Sequence, residues 1–150
     1  MAGLRTIPCT EDNMEPTATP TPQPVAAQPT ILCIEDENFI GDLYTRALTS
    51  GGYAVTVVAD GQAALTEAET NKYDLILLDI MLPTISGIEI LRRLRDPTRT
   101  TPLKAKIIIT TNLDQEEGTR EKIEQQADGY LIKAEITPRE LVEYVKQIQL

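Results

Sequence analysis

Leu75-Ile-Leu-Leu-Asp-Ile-Met-Leu-Pro-Thr-Ile-Ser-Gly87 decides the fold. Four consecutive apolar residues run into Asp79, and Pro83, Ser86 and Gly87 follow it closely. An unbroken apolar run without polar alternation is the pattern of a strand covered on both faces, so this stretch belongs inside a sheet rather than on its surface. Taken as Asp74–Asp79, the run has four counterparts at Thr30–Ile34, Ala54–Ala59, Lys106–Thr111 and Gly129–Lys133. Amphipathic segments separate them. Phe39, Leu43 and Ala47 recur at four-residue spacing before Gly51-Gly52, a helix stop. Asp60-Gly61 turns the chain into a second helix that ends near Thr70. Ser86 with Glu89 is a capping-box signature for a third helix carrying Ile88, Leu91 and Leu94, which ends before Asp96-Pro97. Asp114 with Glu117 would cap a fourth, weakened by Gly118. Thr137, Pro138 and Glu140 open a fifth, whose apolar stripe is Leu141, Val145 and Ile148.

Strands alternating with helices imply right-handed crossovers and a parallel sheet with helices on both sides. The fold class is therefore α/β, a doubly wound five-stranded parallel sheet with five helices, occupying residues 30–150. Residues 1–29 hold six of the ten prolines, at 8, 16, 20, 22, 24 and 29, and lack apolar periodicity. Such a segment buries too little surface to offset its ordering entropy and is expected to be a disordered tail.

Composition removes several chemistries. The 150 residues contain no histidine, which excludes His-based triads, HExxH zinc sites and a phosphohistidine carrier within this chain. Cys9 and Cys33 alone cannot build a four-ligand metal site or a disulfide framework. Fourteen Lys and Arg against 23 Asp and Glu leave a formal charge of −9, with a pI near 4.5. Phosphate neutralisation needs clustered cations, so no nucleic acid and no anionic membrane is expected as a direct partner. Arg92, Arg93, Arg95, Arg99, Lys104 and Lys106 cluster locally and read as a solvated face. No apolar run approaches the roughly 20 residues that span a bilayer, and the start lacks a secretory signal, so a cytoplasmic setting is expected.

In doubly wound sheets ligands bind beyond the carboxyl ends of the strands. Those ends carry Glu35-Asp36-Glu37, Asp79, Thr110-Thr111-Asn112 and Lys133. Three carboxylates in one crevice are costly unless Lys133 or a cation offsets them, and a hard divalent ion such as Mg²⁺ suits oxygen ligands. One such acid alone would read as a helix cap; their joint occurrence points to a site.

The same constellation resembles the receiver domain of bacterial two-component response regulators. Four segments carry the resemblance: Ile31-Leu-Cys-Ile-Glu-Asp-Glu37, Leu75 to Gly87, Ile107-Ile-Ile-Thr-Thr-Asn112 and Ala127-Asp-Gly-Tyr-Leu-Ile-Lys133. It implies the flavodoxin-like receiver fold with strand order 2-1-3-4-5. It further implies that Asp79 is the phosphoacceptor and that Asp36, Asp79, the Met81 carbonyl and Glu35, directly or through water, hold Mg²⁺. Lys133 would pair with phosphoryl oxygens, Thr111 would be the switch hydroxyl and Tyr130 the switch ring. The implied donor is a phosphohistidine of a histidine kinase or phosphotransfer protein, because this chain has none. The implied output is contact with a downstream protein through the fourth helix, fifth strand and fifth helix, with a homodimer as one form of it. The domain is then a signalling element rather than an enzyme, though it catalyses its own phosphorylation and slow dephosphorylation. As no output domain follows Leu150, a single-domain regulator is the expectation.

Three features, at four positions, depart from the family's pattern. Ala134 follows Lys133 where a cis proline is usual, Asn112 stands where a small residue is usual, and Met81 and Leu113 cannot orient an attacking water. A haloacid-dehalogenase-type phosphatase would need a second Asp where Met81 stands. A flavodoxin-like electron carrier would need a hydroxyl- and glycine-rich phosphate loop where Glu-Asp-Glu stands. The remaining competitor is a receiver-like interaction module that works without phosphorylation.

Overall fold

The structure, a computed structural model, describes Gly3 and residues 27–112, 115–148 and 150. The strands are β1 (Thr30–Ile34), β2 (Ala54–Val58), β3 (Leu75–Asp79), β4 (Lys106–Thr111) and β5 (Gly129–Ile132). The helices are α1 (Asn38–Ser50), α2 (Gly61–Glu69), α3 (Gly87–Leu94), α4 (Glu117–Gln126) and α5 (Pro138–Gln147). All pairings are parallel and the strand order is β2-β1-β3-β4-β5. The expected tail lies outside the described residues except for Gly3 and residues 27–29, as do Cys9, Leu113 and Asp114.

Side chains alternate across the sheet with period two, and this sorts the core into two layers. Leu32, Ile34, Ile76, Leu78, Ile107 and Ile109 pack under α2, α3 and α4 through Leu65, Ile90, Leu94 and Ile123. Ile31, Cys33, Leu75, Leu77 and Ile108 pack under α1 and α5 through Tyr44, Leu48, Leu141 and Val145. The continuous apolar runs of β1, β3 and β4 thus serve both layers at once.

The expectation of two-sided burial fails at β2 and β5. These are the sheet's edges, each with one strand neighbour, and β2 is largely exposed while β5 is half-buried throughout. The stripe read for α1 is also displaced. Tyr44 and Leu48 are the buried contacts, Leu43 and Ala47 pack at their margin, and Phe39 is 72% exposed in the first turn. In that turn Ile40 and Gly41 face the sheet, Gly41 against Val57 of β2, which leaves Phe39 on the solvent side of the helix. The basic cluster is mostly paired: Arg92 and Arg93 bind Glu89, Arg95 binds Asp128, Arg99 reaches Glu69 and Lys104 reaches Asp74.

Caps follow the sequence signals unevenly. Thr137 and Glu140 form the full reciprocal capping box. Ser86 accepts from the Glu89 amide, but the Glu89 carboxylate goes to Arg92 and Arg93 instead of returning to the cap. The N-cap of α4 is Glu116, not Asp114, and it makes no side-chain cap bond. At Gly87 a β-carbon would collide with the carbonyl oxygen of Asp79, so α3 can seat against the end of β3 only through glycine. Gly87→Ala is expected to cost about 3 kcal/mol through that overpacking, and Thr137→Ala about 1 kcal/mol through the lost cap. Urea unfolding checks both, and a Gly87→Ala chain as stable as its parent contradicts this account of the β3–α3 junction.

Candidate functional site

Three strand ends converge at the carboxyl edge of the sheet. Asp79 is the last residue of β3, Glu35 follows β1 directly, and Lys133 follows β5. Lys133 was expected within the fifth strand, but β5 stops at Ile132 and Lys133 opens a 3-10 turn, Lys133–Glu135. That turn swings its side chain under the sheet edge. All three residues are buried, at 2% exposure for Glu35, 1% for Asp79 and 8% for Lys133.

The lysine ammonium bridges the two acids. Lys133 Nζ donates to Asp79 Oδ2 at 2.9 Å and makes a close ion pair with Glu35 Oε2. The other carboxylate oxygens are held by backbone: Met81 N–H donates to Asp79 Oδ1 at 3.1 Å, and Glu37 N–H donates to Glu35 Oε1 at 3.1 Å. Burial pushes the Glu35 carboxyl upward, against the opposing pull of the Lys133 hydrogen bond. Burial also works against the Lys133 ammonium, but the hydrogen bonds it donates to Glu35 and Asp79, with their negative charge, outweigh it and raise its pKa. Beneath them the Cys33 thiol is pushed up to about 12 by burial and then by Glu35, which leaves it inert as a nucleophile.

Asp36 lies exposed at the mouth, and carboxylate oxygens of Glu35, Asp36 and Asp79 all come within 4.8 Å of one another. Three carboxylates against one ammonium leave an excess of negative charge. An all-oxygen, anionic donor set fits a hard divalent cation such as Mg²⁺. The Met81 side chain is exposed and takes no part; its backbone is what borders the pocket.

Thr111 is buried at the end of β4 and stands in register with Ile132. Strand parity puts it on the layer of Ile107 and Ile109, whereas Thr110 stands opposite Asp79 on the other parity. Tyr130 is half-buried and packs on that same layer as Thr111, in register with Ile109. Its Oη accepts from Gln115 N–H at 3.3 Å, and the Arg120 guanidinium lies 4.8 Å from its ring centroid. Five of the seven candidate residues are therefore assembled around the acid pocket, Thr111 stands at the end of β4, and Tyr130 lies further back along β5 on the layer of Thr111.

Two polar contacts escape a reading of the sequence. Asn112 Nδ2 donates to Glu37 Oε1 at 2.9 Å, joining residues 75 positions apart across the mouth. The Thr84 hydroxyl donates to Asp60 Oδ1 at 2.8 Å, joining the β3–α3 loop to the start of α2. Asp60-Gly61 reads only as a turn, and no periodicity marks Thr84.

Residues 31–146 match the family model for the response regulator receiver domain. The chain is 40% identical over 118 residues to the alkaline phosphatase synthesis transcriptional regulatory protein PhoP of Bacillus subtilis, covering 79% of this chain and 47% of that protein. It is 42% identical over 106 residues to the response regulator ArlR of Staphylococcus haemolyticus, covering 69% and 45%. The chain thus spans about half the length of the curated relatives it matches. Among solved structures, the receiver domain of the Francisella response regulator 1452 superposes with a TM-score of 0.70 at 31% identity, covering 80% of this chain and 95% of that one. A CheY-like receiver domain protein from Methanospirillum hungatei JF-1 gives 0.67 at 29%, covering 80% and 92%.

Lys133→Met leaves two buried carboxylates facing each other and is expected to cost about 3–5 kcal/mol at pH 8 in chelator. Glu35 titrates above its unfolded value, so the folded state favours its protonated form and that contribution is lost as pH rises through the folded value. The loss in the variant is therefore expected to shrink at pH 5. Urea midpoints of parent and variant at the two pH values check this; an equal loss at both contradicts it.

Proposed function

This chain belongs to the response regulator receiver family, and on that premise we propose that Asp79 is its phosphoacceptor. The observation that carries the reading is the buried Asp79–Lys133–Glu35 bridge with Asp36 at its mouth. An Asp79 carboxylate oxygen attacks phosphorus in line, the phosphorus–nitrogen bond of a phosphohistidine breaks, and the imidazole leaves with the bond's electron pair. The chain contains no histidine, so that imidazole belongs to a partner kinase or phosphotransfer protein. When bound, Mg²⁺ would supply the positive charge that offsets the acids and a phosphoryl group. Asp36, Asp79, the Met81 carbonyl and Glu35, directly or through water, would hold it, as an ion that takes few carboxylates and keeps waters allows.

Lys133 holds the Asp79 oxygen before the reaction and would pair with phosphoryl oxygens after it. Thr111 would turn its hydroxyl to the phosphoryl group, and Tyr130, on the same layer, would turn into the space released. The change would be read by another protein, or a second copy, at the face built by α4, β5 and α5. A groove of about 500 Å³ lies on that face, lined by Arg120, Tyr130, Ile136 and Tyr144. Among the described residues no helix is long and apolar enough to cross a membrane. The setting we propose is cytoplasmic.

Incubation with acetyl phosphate and Mg²⁺ is expected to add one phosphoryl group by intact mass, and neither Asp79→Asn nor chelator-treated protein is expected to gain it. No gain in the parent, with no Mg²⁺ uptake, would support an interaction module that works without phosphorylation. Met81 presents no polar side-chain atom to orient water, so the acyl phosphate is expected to persist several-fold longer than in a Met81→Asn, Leu113→Glu variant. Decay of the phosphorylated mass after donor removal checks this, and equal half-lives count against it.

A further inference from the structure

The β3–α3 loop, which carries Met81 past the acid pocket, is held by a chain of short-range contacts. Met81 N–H binds Asp79 Oδ1, Leu82 N–H and Gly87 N–H both bind the Ile80 carbonyl, and Ile85 N–H binds the Pro83 carbonyl at 2.8 Å. The last of these closes a three-residue turn with Thr84 at its centre, at φ 72°. A γ-turn of positive φ is rare and strained, and a β-branched residue there is a conformational outlier. Among the described residues only Asn71 and Thr84 hold a positive φ without being glycine. Asparagine tolerates that region; threonine needs a reason to stay in it.

The reason is visible at the start of α2. Asp60 divides its carboxylate, Oδ2 accepting from Ala63 N–H at 2.9 Å as the helix cap and Oδ1 accepting from the Thr84 hydroxyl at 2.8 Å. Those two bonds hold the Asp60 carboxyl below its ordinary range. Next to it, a β-carbon on Gly61 would stand 2.5 Å from the Ile85 carbonyl oxygen, so the loop backbone rests directly on the first turn of the helix. The far side of the loop is thereby anchored to α2, while its near side borders Asp79.

We propose that Asp60 and Thr84 are a positioning pair for the cation site: their hydrogen bond holds the strained turn, and with it the path of the loop that carries Met81 past the pocket. This rests on the metal reading given above and adds two residues that touch neither the ion nor the phosphoryl group. Loosening the pair frees the loop at Thr84 and weakens Mg²⁺ binding without altering any carboxylate of the pocket.

Isothermal titration of MgCl₂ into the full chain tests this, with the melting temperature in EDTA measured beside it. Thr84→Ala keeps the β-carbon and removes the hydroxyl; Asp60→Ser keeps a helix cap but cannot serve both partners. Each is expected to weaken Mg²⁺ binding about threefold to tenfold, at or below the roughly 10–100-fold of a group bonded to a ligand itself. The double variant is expected to bind no more weakly than the weaker single one, and Thr84→Ser, which retains the hydroxyl, to bind like the parent. Unchanged affinity with a lowered melting temperature would make the pair purely structural and overturn the proposal. Losses that simply add would overturn it as well. A parent chain that takes up no Mg²⁺ would sink the metal reading itself, and the pair's role with it.

Discussion

A lysine ammonium placed between two buried carboxylates governs the carboxyl edge of this sheet. Glu35 and Asp79 come from adjacent strands and are almost wholly removed from water, a placement that by itself would drive one of them to take up a proton. Lys133 arrives from the other side of the sheet, by way of a 3-10 turn after β5. Its desolvation is costly, and only two acids at hydrogen-bond range keep it charged. Each of the three groups is therefore tolerable only because the other two are there. One ammonium does not balance three acids, so the pocket keeps an excess of negative charge.

Close backbone approach is the second constraint on the site. Gly87 lets α3 begin against the Asp79 carbonyl, and Gly61 lets the β3–α3 loop lie on α2. Between these two points the loop has little room to wander. Its path is set by backbone bonds on the side of Asp79 and by the Asp60 carboxylate on the side of α2. A site on a loop gains the precision of a site on a strand when both of its flanks are packed in this way.

The parity of the sheet sorts the residues at the end of β4. Thr111 and Tyr130 lie on the same layer of the sheet, the one packed under α2, α3 and α4. Thr110, one residue earlier, stands on the other parity and faces α1 and α5. Tyr130 is in turn contacted by the Gln115 amide and by the Arg120 guanidinium, which connects the ring to α4.

Local patterning was sufficient for the fold class and for the charged and hydroxyl groups that end the strands. Apolar runs ending in acid, hydroxyl or ammonium placed the five strands, and the Thr137 box and Gly51-Gly52 marked helix ends, because those signals act over three or four residues; the strand order came from the family resemblance. Where the reading slipped, the deciding contact was distant. Phe39 looks like a core residue until the buried face of α1 is seen to run through Gly41, Tyr44 and Leu48, and β2 looks buried until it is seen to be an edge. The Asn112–Glu37 and Asp60–Thr84 bonds join residues 75 and 24 positions apart and leave no periodic trace. Residue types thus determined which charges reach the edge of the sheet. Only the tertiary structure decided which oxygen meets which nitrogen, because strand order and loop packing, unlike hydrophobic period, are properties of the whole chain.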